Sequence, residues 1–152
     1  MIDYSLIKLI PGEESQRQFS YELKKATYGD YIKEVWGWDE EVQIEFHNQD
    51  WLKKRPNIIR YDNRPIGTIY LDEKGNDIWI ERFIISSEYQ NKGMGTYILK
   101  GIMERADLSG RTIKLMYLRT NPVASLYRRM GFRETGNDDV FISVERKPGG
   151  TS

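Results

Sequence analysis

The chain contains no cysteine and only one histidine, His47. Without cysteine there can be no disulfide, no cysteine-based zinc site and no covalent intermediate carried on a thiol. A single histidine excludes histidine-rich metal sites, and we expect no metal cofactor. His47 falls on a predicted helix, where we interpret it as a surface or packing residue rather than a catalytic one.

Long apolar runs are also absent. No segment approaches the roughly 18–20 apolar residues of a membrane-spanning helix, and the N-terminal residues Met1–Tyr4 show no secretory signal. We therefore expect a cytoplasmic protein with no membrane partner. The length of 152 residues fits one domain. That domain is predicted over residues 1–147, and the tail Pro148–Ser152 is predicted to be disordered.

An excess of one charge is missing overall, because 23 basic and 23 acidic side chains cancel. The distribution is nevertheless uneven, since residues 30–50 carry a net charge of −6 and residues 90–133 carry +7. Such segments are either solvated faces or binding surfaces for charged partners. The charge counts alone leave both interpretations open for each segment.

Hydrophobic periodicity and turn signals predict the element order β, α, α, β, β, β, α, β, α, β, β. The first strand is predicted at Tyr4–Ile10. Only the strand–helix–strand segment from about residue 78 to 118 requires a parallel neighbour, because parallel strands need a crossover connection. The sequence therefore predicts a mixed α/β domain.

Capping signals mark the start of two helices. Asp39 is predicted to cap a helix that runs to Leu52 and contributes three core residues, Val42, Phe46 and Trp51. Asn121-Pro122 predicts the start of a short helix, because Asn is a favoured N-cap and Pro is favoured at the first helical position. Gly131 is predicted to end that helix in a left-handed conformation.

A glycine-containing turn, Gln90–Thr96, lies between a predicted strand and an amphipathic helix. Glycines there let the backbone approach a ligand closely, and the free N–H groups of a helix start bind phosphate. A dinucleotide-binding fingerprint would need Gly or Ala where Ile98 stands, and a P-loop would need Gly-Lys-Ser/Thr. Alternatively, this segment binds no ligand and is an ordinary helix N-terminus preceded by a glycine turn.

Two blocks resemble one family. Gln90-x-x-Gly93-x-Gly95, preceded by the strand Glu81–Ile85, is similar to the acyl-CoA-binding motif of the GNAT superfamily of N-acetyltransferases. The later segment from Asn121 to Phe132 resembles that family's Asn…Ala…Leu-Tyr…Gly-Phe block. The resemblance extends from about Ile66 to Phe132. It implies a mixed, mostly antiparallel sheet with a splayed parallel pair in the middle, flanked by helices.

The resemblance also implies acetyl-CoA as co-substrate. It assigns the diphosphate to the turn, which comprises Gln90, Asn91, Lys92, Gly93, Met94, Gly95 and Thr96. It assigns the pantetheine arm to the strand backbone of Phe83, Ile84 and Ile85. Other cofactor contacts are implied for Asn121, Ser125 and Arg128. A CoA phosphate partner is sufficient for the basic segment, so we expect no nucleic acid.

Tyr127 matches the residue that acts as general acid in the family. By resemblance, it would give a proton or a hydrogen bond to the departing thiolate. A tyrosine with an ordinary pKa near ~10 is a weaker acid than a thiol near ~8.5, so a hydrogen bond to sulfur is the larger expected effect. The alternative is core packing. Glu81 is the candidate base, with a raised pKa expected among Trp79, Phe83 and Ile85 on one strand face. A structural ion pair remains an alternative for Glu81.

The acidic segment carries the candidate acceptor wall, formed by Glu34, Trp36, Trp38 and Asp39. Carboxylates and aromatic rings suit a cationic acceptor, although core tryptophans and a helix-capping acid explain the same residues. The predicted function is direct acetyl transfer from acetyl-CoA to a primary amine of a small cationic molecule. A protein N-terminal or lysine acetyltransferase and a non-catalytic CoA-binding module are the alternatives. A monomer or homodimer is expected.

Overall fold

The computed structural model describes residues 1–150. Its regular elements, in chain order, are β1 Ile7–Pro11, α1 Arg17–Trp36, α2 Glu40–Lys53, β2 Asn57–Tyr61, β3 Arg64–Lys74, β4 Asp77–Ile85, α3 Met94–Ser109, β5 Thr112–Leu118, α4 Ala124–Arg129, β6 Arg133–Asn137 and β7 Phe141–Arg146. The seven strands form one mixed sheet in the order β1-β2-β3-β4-β5-β7-β6. The predicted mixed α/β class is therefore confirmed.

Strands β4 and β5 are the parallel pair, and α3 is the crossover connection that such a pair requires. Their recorded pairing runs from Asp77–Thr112 to Ile80–Leu115. Strand β4 then continues to Ile85 and β5 to Leu118. The pairs β1–β2, β2–β3, β5–β7 and β6–β7 are antiparallel.

The fold divides into two compact units by internal contacts, residues 1–70 with 82–95, and residues 71–81 with the chain from residue 96 onward. In the first unit, α1 buries Tyr21 and Leu23, and α2 buries Trp51. The indole nitrogen of Trp51 donates a 3.0 Å hydrogen bond to Glu14, at the turn that begins α1. Helix α1 runs through Gly29 without a break.

The β2–β3 hairpin turns through two residues, Asp62 and Asn63, with φ of 49° and 66°. Two left-handed residues form the turn whose twist matches that of the flanking strands. This tight turn lets β3 begin at Arg64, where Arg64 pairs with Tyr61.

The second unit buries the apolar face of α3, namely Ile98, Leu99, Ile102 and Ala106. Near the end of this helix, Asp107 accepts hydrogen bonds of 2.7 and 3.2 Å from Arg146 of β7. Its carboxylate also accepts a 2.7 Å hydrogen bond from the Gly149 N–H. Residues Pro148–Gly150, the start of the segment predicted as a disordered tail, form a short turn here. The last two residues of that prediction lie outside the described part of the chain.

Three local predictions were wrong. Residues Tyr4–Leu6 form a 3-10 turn, so the first strand begins only at Ile7. Asn121 does not cap α4, which begins at Ala124 after Val123. Val42 and Phe46 are exposed because they line a surface cavity between α1 and α2 instead of the core. Asp39 does cap α2, accepting from the Val42 N–H at 3.3 Å, and Gly131 is left-handed with φ of 94°.

Candidate active site

The turn after β4 has a defined backbone conformation. A 3-10 turn, Ser87–Tyr89, leads into it, and α3 starts at Met94. Asn91 and Gly93 both adopt left-handed conformations, with φ of 61° and 80°. The Gln90 side chain donates a 2.7 Å hydrogen bond to the Ile85 carbonyl, which ties the turn to the end of β4. Gln90 thus supports the turn through its side chain.

The start of α3 is packed closely on β4. A β-carbon at Gly95 would lie 3.5 Å from Ile85 Cδ1 and 3.9 Å from Phe83 Cζ. Met94 is buried beneath the turn, whereas Lys92 is exposed. The first N–H groups of any α-helix have no partner within the helix, and the first turn of α3 contains no acidic side chain. Backbone and charge therefore suit an anion such as a diphosphate.

Strand β4 carries a left-handed residue, Arg82, with φ of 50°. The Thr68 hydroxyl donates 2.9 Å to the Arg82 carbonyl, and the guanidinium donates to the Lys54 carbonyl while lying 5.3 Å from the Tyr70 ring. A strained backbone of this kind persists only where its surroundings hold it. This distortion lies directly before Phe83, Ile84 and Ile85, the predicted pantetheine strand.

The carbonyl groups of that strand are not all available. The Ile85 carbonyl already accepts a hydrogen bond from the Gln90 side chain. The next residue, Ser86, donates from its N–H at 2.8 Å to the Ile66 carbonyl of β3. Ile84 is buried, while Phe83 and Ile85 are half-buried on the face that meets Gly95.

In the second unit, Tyr127 of α4 is enclosed by two rings. Its ring stacks on Tyr117 at 5.3 Å and meets Phe132 edge-on at 5.4 Å. The Tyr127 carbonyl accepts a 3.0 Å hydrogen bond from the Phe132 N–H. The orientation of Tyr127 is thus held by β5 and by the chain after α4. Tyr117 was not anticipated, because its position on a buried strand face gives no functional signal.

The other predicted residues of the second unit are either half-buried or exposed. Glu81 is half-buried at the point where β4 reaches its distortion, and Thr96 is half-buried in the first turn of α3. The remaining three, near or on α4, are exposed: Asn121, Ser125 and Arg128.

The four acceptor-wall residues separate into two groups. Trp36 and Asp39 line the surface cavity of about 350 Å³, together with Ile32, Val42 and Phe46. Trp36 is 68% exposed and meets the Tyr31 ring edge-on at 6.2 Å. The acidic Asp39 and this exposed ring give the cavity the character that a cationic amine with an apolar body would need.

Trp38 and Glu34 do not line that cavity. Trp38 packs on Tyr21 at 6.5 Å, and its indole N–H donates 2.5 Å to Glu40. Hydrogen bonds from Trp38 and Lys25 lower the pKa of Glu40, and burial raises the pKa of Tyr21 to about 12. The packing interpretation therefore describes Trp38, and Glu34 is exposed at the end of α1.

His47 is a packing residue in the first unit. It is 2% exposed, and its ring lies 5.5 Å from Tyr21 and 6.2 Å from Trp51. Nε2 lies 3.2 Å from the Arg17 carbonyl, which can only accept, so Nε2 carries the proton. Burial lowers the pKa of His47 and keeps its ring neutral.

Two residues next to the predicted cofactor-binding segments were missed by the sequence analysis. Tyr4 reaches the turn backbone from the N-terminal segment, and Arg82 distorts β4. Neither has a local signal, since Tyr4 lies 88 residues from its partner Lys92 and a left-handed arginine in a strand follows no propensity. Within residues 1–150, no cluster of three or more His, Asp or Glu side chains is placed to hold a metal ion. In the same range, no helix has the length and apolarity needed to cross a membrane.

The fold matches solved N-acetyltransferase structures. An N-acetyltransferase from Thermoplasma acidophilum, solved in complex with coenzyme A, is 18% identical with a TM-score of 0.69, over 93% of this chain and 98% of that one. A spermidine N-acetyltransferase chimera from Vibrio cholerae is 19% identical with a TM-score of 0.65, over 94% and 96% of the two chains. At these identities the likeness concerns the fold.

Sequence relatives match a shorter region. The spermine/spermidine N(1)-acetyltransferase of Bacillus subtilis strain 168 is 37% identical over 71 residues, which are 45% of this chain and 47% of the relative. The chain thus spans about half the length of that relative. A probable spermine N(1)-acetyltransferase from Bacillus subtilis subsp. natto matches to the same extent.

The family model for the acetyltransferase (GNAT) domain matches residues 54–134, which include β4, the glycine turn and the segment around Tyr127. The matched region is more than half of the chain. Together with the mixed sheet and the crossover through α3, this match establishes that the chain belongs to the GNAT acetyltransferase family.

Proposed function

We propose that this protein transfers an acetyl group directly from acetyl-CoA to a primary amine of a small cationic molecule. The observation that carries the proposal is the turn between β4 and α3, with left-handed Asn91 and Gly93, an exposed Lys92 and no acid in the first helical turn. Such a turn binds a diphosphate through backbone N–H groups and the helix dipole. Membership of the acetyltransferase family supports the same function.

Acetyl-CoA supplies the thioester whose acetyl group is transferred. The turn residues Gln90–Thr96 hold its diphosphate, and the β4 backbone from Phe83 to Ile85 aligns the pantetheine arm. Asn121, Ser125 and Arg128 are the further cofactor contacts, and their exposure is consistent with that role. The role of Gln90 is indirect, because its side chain is engaged by the Ile85 carbonyl.

Two side chains are proposed to handle protons. A free alkylamine has a pKa near ~10.4, so it must lose a proton before it can attack, and Glu81 is the proposed base. Tyr127 is proposed to donate a hydrogen bond to the departing sulfur. The rings of Tyr117 and Phe132 restrict Tyr127, which suits a donor that must be held in one orientation.

The acceptor is proposed to be a polyamine-like molecule held by Trp36 and Asp39. The exposed indole and the carboxylate line one cavity, and a cation near both gains cation–π and Coulomb energy. The Bacillus subtilis relative is a spermine/spermidine N(1)-acetyltransferase, which supports this substrate class. Trp38 and Glu34 take no part in the proposed acceptor site.

The test measures release of the CoA thiol from acetyl-CoA in the presence of an acceptor. The acceptors are spermidine, spermine, a lysine-containing peptide and a peptide with a free N-terminus. We expect release that depends on the polyamines. Release with the peptides alone would instead identify a protein acetyltransferase. CoA binding without release by any acceptor would identify a non-catalytic module.

Variants separate the proposed roles. Tyr127→Phe should lower kcat by about tenfold or more with little change in CoA affinity, whereas Tyr117→Phe, which keeps the stacked ring, should not. Glu81→Gln should lower kcat as well. Asp39→Ser keeps a helix-capping hydroxyl on α2 but removes the charge, so it should raise KM for spermidine and leave KM for acetyl-CoA unchanged.

A further inference from the structure

The N-terminal segment Asp3–Leu6 is fixed at both ends of a short 3-10 turn. Asp3 caps the turn, since its carboxylate accepts from the Ser5 N–H at 3.0 Å and from the Ser5 hydroxyl at 2.6 Å. The Asp3 N–H donates 3.1 Å to the Tyr61 hydroxyl of β2, and the Leu6 carbonyl accepts 3.2 Å from the Asp62 N–H. The Tyr4 side chain therefore projects from an anchored backbone.

Tyr4 reaches the turn between β4 and α3. Its hydroxyl donates a 2.8 Å hydrogen bond to the Lys92 carbonyl. A β-carbon at Gly93 would collide with the same hydroxyl and would lie 3.4 Å from Tyr4 Cζ. Tyr4 thus contacts both residues of the Lys92–Gly93 peptide, one by hydrogen bonding and the other by packing.

This contact determines where one backbone N–H points. In a planar trans peptide the carbonyl oxygen and the following N–H point in opposite directions. A hydroxyl that holds the Lys92 carbonyl on its own side therefore directs the Gly93 N–H to the opposite side of the turn. Asn91 and Gly93 are left-handed, and such residues lose much backbone freedom when a flexible turn becomes ordered. If the turn is already ordered before the ligand binds, less conformational entropy is lost on binding.

We infer that Tyr4 is a positioning residue for the anion-binding turn, holding the Lys92–Gly93 peptide so that the Gly93 N–H faces the diphosphate of acetyl-CoA. The inference rests on the proposed function, because it takes the turn as the diphosphate site. Tyr4 itself touches no reacting atom. Its effect is on cofactor affinity, and only on the part of that affinity that the diphosphate contributes.

The experiment compares two acetyl donors with Tyr4→Phe. Acetyl-CoA carries the diphosphate, and S-acetylpantetheine lacks it. The loss of one hydrogen bond should raise KM for acetyl-CoA about three- to tenfold, with kcat at saturation unchanged. Turnover of S-acetylpantetheine should be unchanged. Tyr28→Phe, which removes a tyrosine hydroxyl from α1 instead of from the N-terminal segment, is the matched control and should alter KM for neither donor.

A role confined to folding would give a different pattern. If Tyr4→Phe lowered kcat or raised KM equally for both donors, or altered neither, the inference would be overturned. Thermal unfolding of the variant accompanies the kinetics, so that a general loss of folded protein is recognised by its equal effect on both donors.

Gly93→Ala provides a second, independent measurement. In the presence of Tyr4, alanine meets both a left-handed backbone and the tyrosine hydroxyl. In the Tyr4→Phe background the clash with the hydroxyl is removed, and the backbone strain remains together with an ordinary contact to the ring. The increase in KM for acetyl-CoA should therefore be smaller in the double variant than the single variants predict, and additive effects contradict the contact. If Gly93→Ala leaves KM for acetyl-CoA unchanged, the proposed diphosphate site fails. If it raises KM while Tyr4→Phe does not, only the role of Tyr4 fails.

Discussion

Gly67 of β3 faces the backbone of β4 with no room for a side chain. A β-carbon there would lie far inside van der Waals contact of the Ile84 carbonyl oxygen, and 3.2 Å from both the Ile84 carbonyl carbon and the Ile85 Cα. All three atoms belong to the β4 backbone, so no flexible side chain can move aside. Gly67→Ala must therefore separate β3 from β4 beside the proposed pantetheine strand.

The expected cost follows from overpacking. Inserting one methyl group into a close-packed site costs typically 1–3 kcal/mol, and the upper half of that range applies because backbone must move. For a protein of this size each kcal/mol corresponds to about 2–4 °C in Tm, so Gly67→Ala should lower Tm by roughly 4–12 °C. Displacement of Ile84 and Ile85 should also raise KM for acetyl-CoA.

Differential scanning calorimetry of three proteins tests this reasoning. The control is Gly101→Ala, because Gly101 lies in α3 and a β-carbon there would have no heavy atom within 4 Å. Alanine in a helix interior is more stable than glycine by about 0.5–1 kcal/mol, so this control should raise Tm. The close approach would be refuted if Gly67→Ala unfolded at or above the temperature of the unchanged protein.

Three further predictions concern stability. Burial lowers the pKa of His47. The free energy of unfolding should therefore keep its full value above the unfolded pKa of about 6.5 and decrease as pH falls below it. The ring resonances of this sole histidine should titrate below that value, and a titration at or above it would contradict the burial. Hydrogen bonds from Arg146 lower the pKa of Asp107. A second decrease in the free energy of unfolding should therefore begin as pH falls below the ordinary aspartate pKa. Asp107→Asn at neutral pH should cost roughly 1–3 kcal/mol in urea unfolding, because Arg146 is 6% exposed and would lose its counter-charge; no change would show that solvent screens the pair. Asn63→Ala should cost about 1 kcal/mol because Asn63 is left-handed, whereas Asn63→Gly should be tolerated; equal urea midpoints for the two variants would contradict the turn geometry.

Local sequence signals were informative wherever one short segment contains its own cause. Asp39 caps α2, β5 ends at Leu118 where the strand–helix–strand segment was predicted to end, and the glycine turn precedes a helix whose apolar face is buried. The two blocks that resemble the family are also local signals, because a turn of the kind that binds phosphate is built from consecutive residues.

Predictions failed where the partner is distant in the chain. Val42 and Phe46 have helical spacing, yet their face of α2 borders the cavity beside Trp36. Trp38, predicted for the acceptor wall, packs on Tyr21 outside that cavity, and its role toward an acceptor stays a prediction. Periodicity identifies an apolar face but does not say which surface will cover it. Asn121-Pro122 carries a strong local capping signal, and nothing in the structure explains why α4 begins later.

Residues close together in the chain were enough to predict the order of the elements, the need for a parallel pair and a turn whose backbone and charge suit an anion. Three features became visible only in the folded chain: the contact of Tyr4 with that turn, the distortion of β4 at Arg82 and the lack of room at Gly67. Those features arise from atoms brought together across long sequence separations. Close packing and hydrogen-bond geometry select them, and neither leaves a local pattern to detect.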